Sequence, residues 1–214
     1  MSDAATRLAT VHAEIARAAT LARRDPAEVT LVAVSKRRSV AEIEALIAAG
    51  QRDFGESRVQ EAHDKWAALR KLHPDVRLHM IGRLQSNKAA DAAGLFDVIH
   101  SLDRSSLLDA LVAAPAHRPT YVQVNVGEEE QKGGIALADL PAFIASVDAS
   151  PVPLAGLMAI PPIGLEPGPF FALLSELARR HGAGGLSMGM SSDYATAVTL
   201  GATVVRVGTA LFED

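Results

Sequence analysis

Apolar positions along the chain fall into two alternating patterns. Short, near-continuous runs rich in β-branched residues mark strands buried on both faces, as in Val29-Thr30-Leu31-Val32-Ala33-Val34. Longer segments repeat their apolar residues every three or four positions, the spacing of a helix with one buried face. A first helix precedes any strand: Leu8, Val11, Ile15, Ala18 and Leu21 form its stripe, and Pro26 ends it. The first strand, Val29 to Val34, leads to a helix over Val40 to Ala49 that Gly50 stops. Further strands are predicted at Asp53 to Gly55, Arg77 to Ile81, Val98 to Ser101, Tyr121 to Val126, Leu154 to Met158, Gly185 to Ser187 and Thr203 to Val207. Helices follow them near Arg58 to Leu72, Asn87 to Ala93, Arg104 to Ala113, Ala138 to Val147, Pro169 to Arg180 and Tyr194 to Leu200, with a last turn at Thr209 to Phe212.

This alternation predicts an α/β fold, a single (β/α)8 TIM barrel over residues 1–214 with an extra N-terminal helix. A doubly wound open sheet is the competing arrangement, but the chain has no G-x-G-x-x-G turn to support it. The proline-rich stretch from Ile160 to Pro169 reads as a rigid loop after the sixth strand, not a domain boundary.

Composition narrows the function classes. The chain has 214 residues, somewhat fewer than the ~250 usual for such a barrel. Aromatics make up only 4% of it, so the core must rest on Val, Leu, Ile and Ala. A net charge of −4 argues against a nucleic-acid partner. With no cysteine there is no disulfide, thiolate nucleophile or cysteine metal site. The start lacks the apolar centre of a signal peptide, and no apolar run approaches the ~20 residues of a membrane span. A cytoplasmic protein with no membrane partner, acting as a monomer, is expected.

Candidate chemistry gathers in the loops after the strands, which a barrel places on one face. Lys36 closes the first strand, in Leu-Val-Ala-Val-Ser-Lys-Arg-Arg. A neutral lysine amine can form a Schiff base with a carbonyl compound, and the cations Arg37 and Arg38 disfavour its protonated form. Taken alone, a lysine snorkelling at a strand end is the plainer reading. After the seventh strand come Ser187, Gly189 and Ser191; after the eighth come Gly208 and Thr209. Small residues there let backbone N–H groups approach an anion, helped by a helix N-terminus, and barrels often hold phosphate at this place. The hydroxyls of Ser187, Ser191 and Thr209 are candidate donors, though helix capping accounts for such residues too. Arg206 interrupts an apolar strand and needs either a carboxylate or a ligand group; the ion pair is the favoured choice. Lys36 and a phosphate cradle on one face suggest pyridoxal phosphate or a sugar-phosphate aldehyde. Glu128-Glu129-Glu130 reads as a solvated acidic loop, His79 as a satisfied core histidine, and the other histidines make no H-E-x-x-H zinc pattern.

Read together, the segments resemble the pyridoxal phosphate homeostasis protein family, the single-domain relatives of alanine racemase. The matching stretches are Leu31-Val32-Ala33-Val34-Ser35-Lys36, Phe54-Gly55-Glu56 with Val59-Gln60-Glu61, and His79-Met80-Ile81-Gly82-Arg83-Leu84-Gln85-Ser86-Asn87-Lys88. Gln123-Val124-Asn125-Val126 with Lys132-Gly133-Gly134, Gly156-Leu157-Met158-Ala159-Ile160, Leu186-Ser187-Met188-Gly189-Met190-Ser191 and Arg206-Val207-Gly208-Thr209-Ala210-Leu211-Phe212 complete the set. The resemblance implies a barrel of the alanine-racemase N-terminal-domain type and pyridoxal 5′-phosphate (PLP) held as an internal aldimine on Lys36. It implies phosphate on the Ser187–Ser191 loop and on Gly208-Thr209, with Arg206 near the cofactor. It also implies a carrier without a settled reaction of its own, serving PLP homeostasis, with PLP-dependent apoenzymes as recipients. The chain departs from the family in Ser57 and Arg58, where Asn and an aromatic are common, in Arg38, where lysine is frequent, and in stopping two residues after Phe212, short of the usual basic tail. Weaker cofactor retention is the expected result.

Two other functions compete. An amino-acid racemase would use Lys36 as one base, but in alanine racemases the second base comes with a C-terminal domain that a chain of this length does not carry. A sugar-phosphate aldolase would use Lys36 without a cofactor, and the absence of a visible absorption band would reveal it.

Overall fold

The computed structural model describes residues 3–129 and 131–212. Parallel strands close into a barrel in sequence order: β1 (Thr30–Val34), β2 (Asp53–Glu56), β3 (Arg77–Met80), β4 (Val98–Leu102), β5 (Thr120–Gln123), β6 (Leu154–Met158), β7 (Gly185–Ser187) and β8 (Val204–Val207). Closure comes from β1 against β8, where Thr30, Leu31, Val32 and Ala33 pair with Val204, Val205, Arg206 and Val207. Around the barrel run α1 (Asp3–Leu21), α2 (Val40–Ala48), α3 (Val59–Leu72), α4 (Ala89–Leu95), α5 (Ser105–Val112), α6 (Leu140–Asp148), α7 (Gly168–His181), α8 (Tyr194–Thr199) and the single turn α9 (Thr209–Phe212). None of these helices is long and apolar enough to cross a membrane.

The core has two parts. The larger lies between the strands and the helix ring, where alternate strand residues such as Leu31, Ala33, Leu78 and Val205 meet Ile43, Leu46, Leu174 and Val198. Each aliphatic side chain fully removed from water there contributes about 1.5–3 kcal/mol. The smaller fills the lumen with Val32, Val98, Tyr121, Met158 and Val204. The few aromatics are placed centrally: Trp66, Phe54, Phe96 and Phe171 are fully buried, and Phe54 meets Trp66 at 5.1 Å between centroids. Gly156 and Gly185 are register partners on β6 and β7. Gly156 sits at φ +150°, and a Cβ there would lie 2.0 Å from the Gly185 carbonyl oxygen, so only glycine permits this strand approach.

Helix α1 departs from the expectation in two ways. It ends at Leu21, ahead of Pro26, in a turn where Arg23 takes φ 58° and Arg24 N donates to Ala19 O. Leu21 is 78% exposed, and Ala19 takes its place in the buried stripe. The helix lies against α8 and α9. Arg24 Nη1 donates to the carbonyls of Val198 and Ala202 at 2.9 Å each, Arg7 Nε donates to Leu211 O at 2.9 Å, and Tyr194 donates to Glu14 at 2.5 Å. Strand β5 stops at Gln123, short of Val126, because Asn125 N turns to Ile135 O at 2.9 Å and leaves the ladder.

Candidate functional site

The turn that carries Lys36 is held from beneath by a buried charge cluster. Ser35, fully buried at the end of β1, donates from Oγ to Glu56 Oε1 at 2.7 Å. The same carboxylate oxygen, at the end of β2, accepts Lys65 Nζ at 3.0 Å and Trp66 Nε1 at 3.0 Å, both from α3. Lys65 also donates to the Ser35 carbonyl at 2.8 Å and to Glu61 at 3.2 Å. Glu61 in turn accepts the Arg37 amide at 2.6 Å, a bond that leads the causes holding its carboxyl below the usual range. Arg37 takes φ 60°, a conformation costly for a non-glycine residue, so the surrounding bonds must enforce it. The outcome is an exposed Lys36 on a turn fixed on both flanks.

The loops after β7 and β8 are tied to each other and reach the same mouth. Ser191 Oγ accepts the Gly208 amide at 3.1 Å, and Arg206 N donates to Gly189 O at 2.9 Å. Gly189 is buried at φ +95°, and a Cβ there would meet Ala197 Cβ at 2.6 Å. Gly208 lies so close to Val34 that an added Cβ would be in ordinary contact with it at 3.5 Å. Val34, Lys36, Arg37, Arg38, Gly208 and Thr209 together line a cavity of about 380 Å³. Its donors are three cations, a threonine hydroxyl and the amides that open α9, which have no partner within their own helix. With one turn in α9 and six residues in α8, the helix dipole adds little here; the cations and amides carry the anion-binding capacity. A wider groove of about 780 Å³ opens over the ends of β2 and β3, where Ser57, Arg58, Arg83 and Lys88 stand.

Below this mouth the lumen holds a polar chain. Arg206 is buried, and Nη1 donates to Ser187 Oγ at 2.5 Å while Nη2 donates to Ala159 O at 3.1 Å. Ser187 Oγ lies 2.7 Å from His100 Nδ1; His100 Nε2 lies 3.0 Å from His79 Nδ1; His79 Nε2 lies 2.8 Å from Asp53 Oδ1. The ring of Tyr121 stacks on His100 at 4.6 Å. Burial brings Arg206 down to about 10, which leaves it charged near neutrality, and holds His100 well below the ordinary histidine value.

Lys36, Gly208 and Thr209 therefore share one cavity, with Ser191 and Gly189 shaping its wall from behind. Ser187 and Arg206 sit inside the barrel. The hydroxyl of Ser187 is engaged with Arg206 and His100, so its side chain belongs to the lumen and not to the loop beyond it. The ion pair favoured for Arg206 is not formed: among the described residues no carboxylate lies within ion-pair distance of it. His79 is, as expected, a core histidine with both ring nitrogens engaged. The sequence reading missed Lys65, Trp66 and His100 as parts of the site. The lysine four residues after Glu61, at helical spacing, is the one local signal that could have pointed to the cluster. In the acidic loop Glu129 pairs with Lys132 at 2.6 Å, and Glu130 lies outside the described residues. Among the described residues no group of three histidines or carboxylates could hold a metal ion.

Comparison with known proteins fits this arrangement. Residues 7–214 match the alanine racemase N-terminal domain family. A Pseudomonas aeruginosa protein named pyridoxal phosphate homeostasis protein is 45% identical over 222 residues, covering 99% of this chain and 96% of its own. The Escherichia coli protein of the same name is 40% identical over 226 residues, covering 99% of this chain and 97% of its own. Among solved structures, PipY of Synechococcus elongatus PCC7942 with PLP bound superposes with a TM-score of 0.84 at 40% identity, over 98% of this chain and 100% of that one. This chain belongs to the alanine racemase N-terminal domain family and, within it, to the pyridoxal phosphate homeostasis proteins.

Proposed function

We propose that this protein binds PLP on Lys36 and serves intracellular PLP homeostasis as a carrier, yielding the cofactor to PLP-dependent apoenzymes in the cytoplasm. The observation that carries the reading is the shared cavity: the Lys36 amine opens onto the same space as Arg37, Arg38, Gly208 and Thr209. An aldehyde and a phosphate on one small molecule need a primary amine and an anion site within one pocket, and this donor set supplies both. The PLP-bound PipY structure, from a relative matched over nearly the whole chain, supports it.

Bound PLP supplies an aldehyde for covalent attachment and a ring that can act as an electron sink. Lys36 Nζ provides the attachment point. Thr209 and the Ser191 loop would hold the phosphate through backbone N–H groups and hydroxyls, Gly208, whose amide goes to Ser191 Oγ, would leave room for it beside them, and Arg37 and Arg38 would add positive field. The Glu56–Lys65–Glu61 cluster holds the lysine turn through the Ser35 carbonyl and the Arg37 amide. Arg206 is the charged group under this mouth. An arginine side chain only donates and cannot take up a proton, so it does not keep a pyridine nitrogen protonated as a carboxylate does. A mouth whose underlying charged group only donates would give carbanion chemistry little support, which favours carrying over turnover.

An absorption spectrum of the PLP-treated protein, taken before and after borohydride reduction, tests the reading. A visible band that reduction removes, with the adduct mapped to Lys36 and absent from Lys36→Ala, is expected. An adduct on another residue, Lys132 for instance, or no band at all, contradicts it.

A further inference from the structure

We propose that Arg206, Ser187, His100, His79 and Asp53 form one directional hydrogen-bonded chain across the barrel lumen. Asp53, at the lower mouth, acts in it as a positioning residue for Arg206 at the ligand end. The part that concerns the ligand rests on the proposed PLP reading; the chain itself does not.

The direction follows from the two ends. Arg206 has only donors, so the bond from Nη1 uses a lone pair of Ser187 Oγ and leaves the serine hydrogen to be placed. At the other end the Asp53 carboxylate only accepts, so His79 must present Nε2–H to it. A neutral His79 then has a bare Nδ1, which takes a hydrogen from His100 Nε2. His100 is left with a bare Nδ1, and the Ser187 hydroxyl donates to it. Every hydrogen has one place, and every bond points from the cation toward the anion. Aligned bonds in a low-dielectric interior polarise one another, so the charges at the two ends favour the same arrangement.

This also answers how Arg206 is tolerated. A buried charge without a partner is costly, and no carboxylate touches it among the described residues. The chain links it to Asp53 through three neutral groups. Asp193 beyond β7 adds favourable field, and Arg77 stands 3.7 Å from Asp53 at the lower mouth. The lower face of a barrel is ordinarily read as a face for stability. Here one of its carboxylates orients a side chain beneath the opposite, ligand-bearing mouth.

The rival arrangement is a charged His79 paired with Asp53, which reverses the hydrogens: His100 would carry Nδ1–H and donate to Ser187. Ring-nitrogen NMR of histidine-labelled, cofactor-free protein at neutral pH separates the two, with His79→Gln and His100→Asn assigning the signals. Two neutral rings, both of the Nε2–H form, are expected, and in Asp53→Asn the His100 signals shift although residue 53 does not touch that ring. A charged His79, an Nδ1–H His100, or a His100 indifferent to Asp53→Asn overturns the chain. In the PLP-loaded protein, Asp53→Asn is expected to weaken PLP binding about fivefold or more and to move the visible band; an unchanged affinity and band overturn the positioning role. Should circular dichroism show Asp53→Asn unfolded, His79→Gln breaks the same link and is read in the same way. If wild-type protein takes up no PLP, the carrier reading fails, while the ring-nitrogen spectra still decide the chain.

Discussion

Lys65 donates to the backbone carbonyl of Ser35 at 2.8 Å, and Ser35 is the residue immediately before Lys36. The amine of a partly buried helix residue thus fixes the chain direction at the Lys36 turn, while its charge answers Glu56 beneath it.

Removing Lys65 should therefore be costly. Glu56 is fully buried, and Lys65→Met strands its carboxylate without a counter-charge, an event worth about 3–5 kcal/mol for a buried pair. Urea denaturation of Lys65→Met should show a loss of that order. The double variant Glu56→Met with Lys65→Met should recover most of it, since both charges leave together. A double variant no more stable than Lys65→Met contradicts the pairing.

The phosphate should dominate ligand affinity. Two or more charge-assisted hydrogen bonds, at about 1.5–3 kcal/mol each, are lost when pyridoxal replaces PLP. Equilibrium titration should give pyridoxal an affinity at least ~100-fold weaker. Similar affinities for the two would remove the assigned role of Gly208, Thr209 and the Ser191 loop.

Acid should weaken the fold through His100. Desolvation first, then the neighbouring His79 and Arg206, put its pKa well below the usual 6.5 in the folded protein. The unfolded chain takes up that proton first. The stabilisation from the neutral ring is complete above about pH 6.5 and is lost as pH falls below it toward the folded value. Denaturation midpoints should decline below pH 6.5, and His100→Asn should flatten the decline. A slope unaltered in that variant would point to other groups.

Free amino acids should meet little chemistry. With Arg206, a donor-only side chain, as the charged group under the mouth, L-alanine, L-serine and L-threonine in deuterated water should keep their α-protons over many minutes. Exchange or D-isomer formation at ~1 s⁻¹ or faster would place the protein among racemases.

The sequence made the strands legible where burial on both faces leaves an unbroken apolar run. β1 and β6 fall where those runs predict them, and the helix starting at Val40 is confirmed by a full capping box between Ser39 and Glu42. Lys36, Gly208 and Thr209 could be grouped because strand ends in a barrel share a face. The lumen was not legible in this way. Asp53, His79 and His100 come from three strands, and nothing local in any of them marks the others; only closure brings them into line. For the same reason Arg206 was expected to hold a carboxylate that turns out to stand on the far side of the barrel. The false continuation of β5 past Gln123 came from apolar Val124 and Val126, both buried: Val124 N still donates to Met158 O on β6, but its bridge partner is Ile135 of the following loop.

The pairing of β1 with β8, and the grip of α1 on α8 and α9, give the site a particular place in the life of the polypeptide. Lys36 is translated well before Gly208 and Thr209, which make the wall of its cavity. Until β8 docks, the lysine turn faces an open edge, and α1 lacks α9. Contacts this distant in sequence form late in folding. On the proposed function, a chain translated only as far as β7 lacks that wall and would not hold PLP; closure by β8 is needed before the barrel competes for the free cofactor.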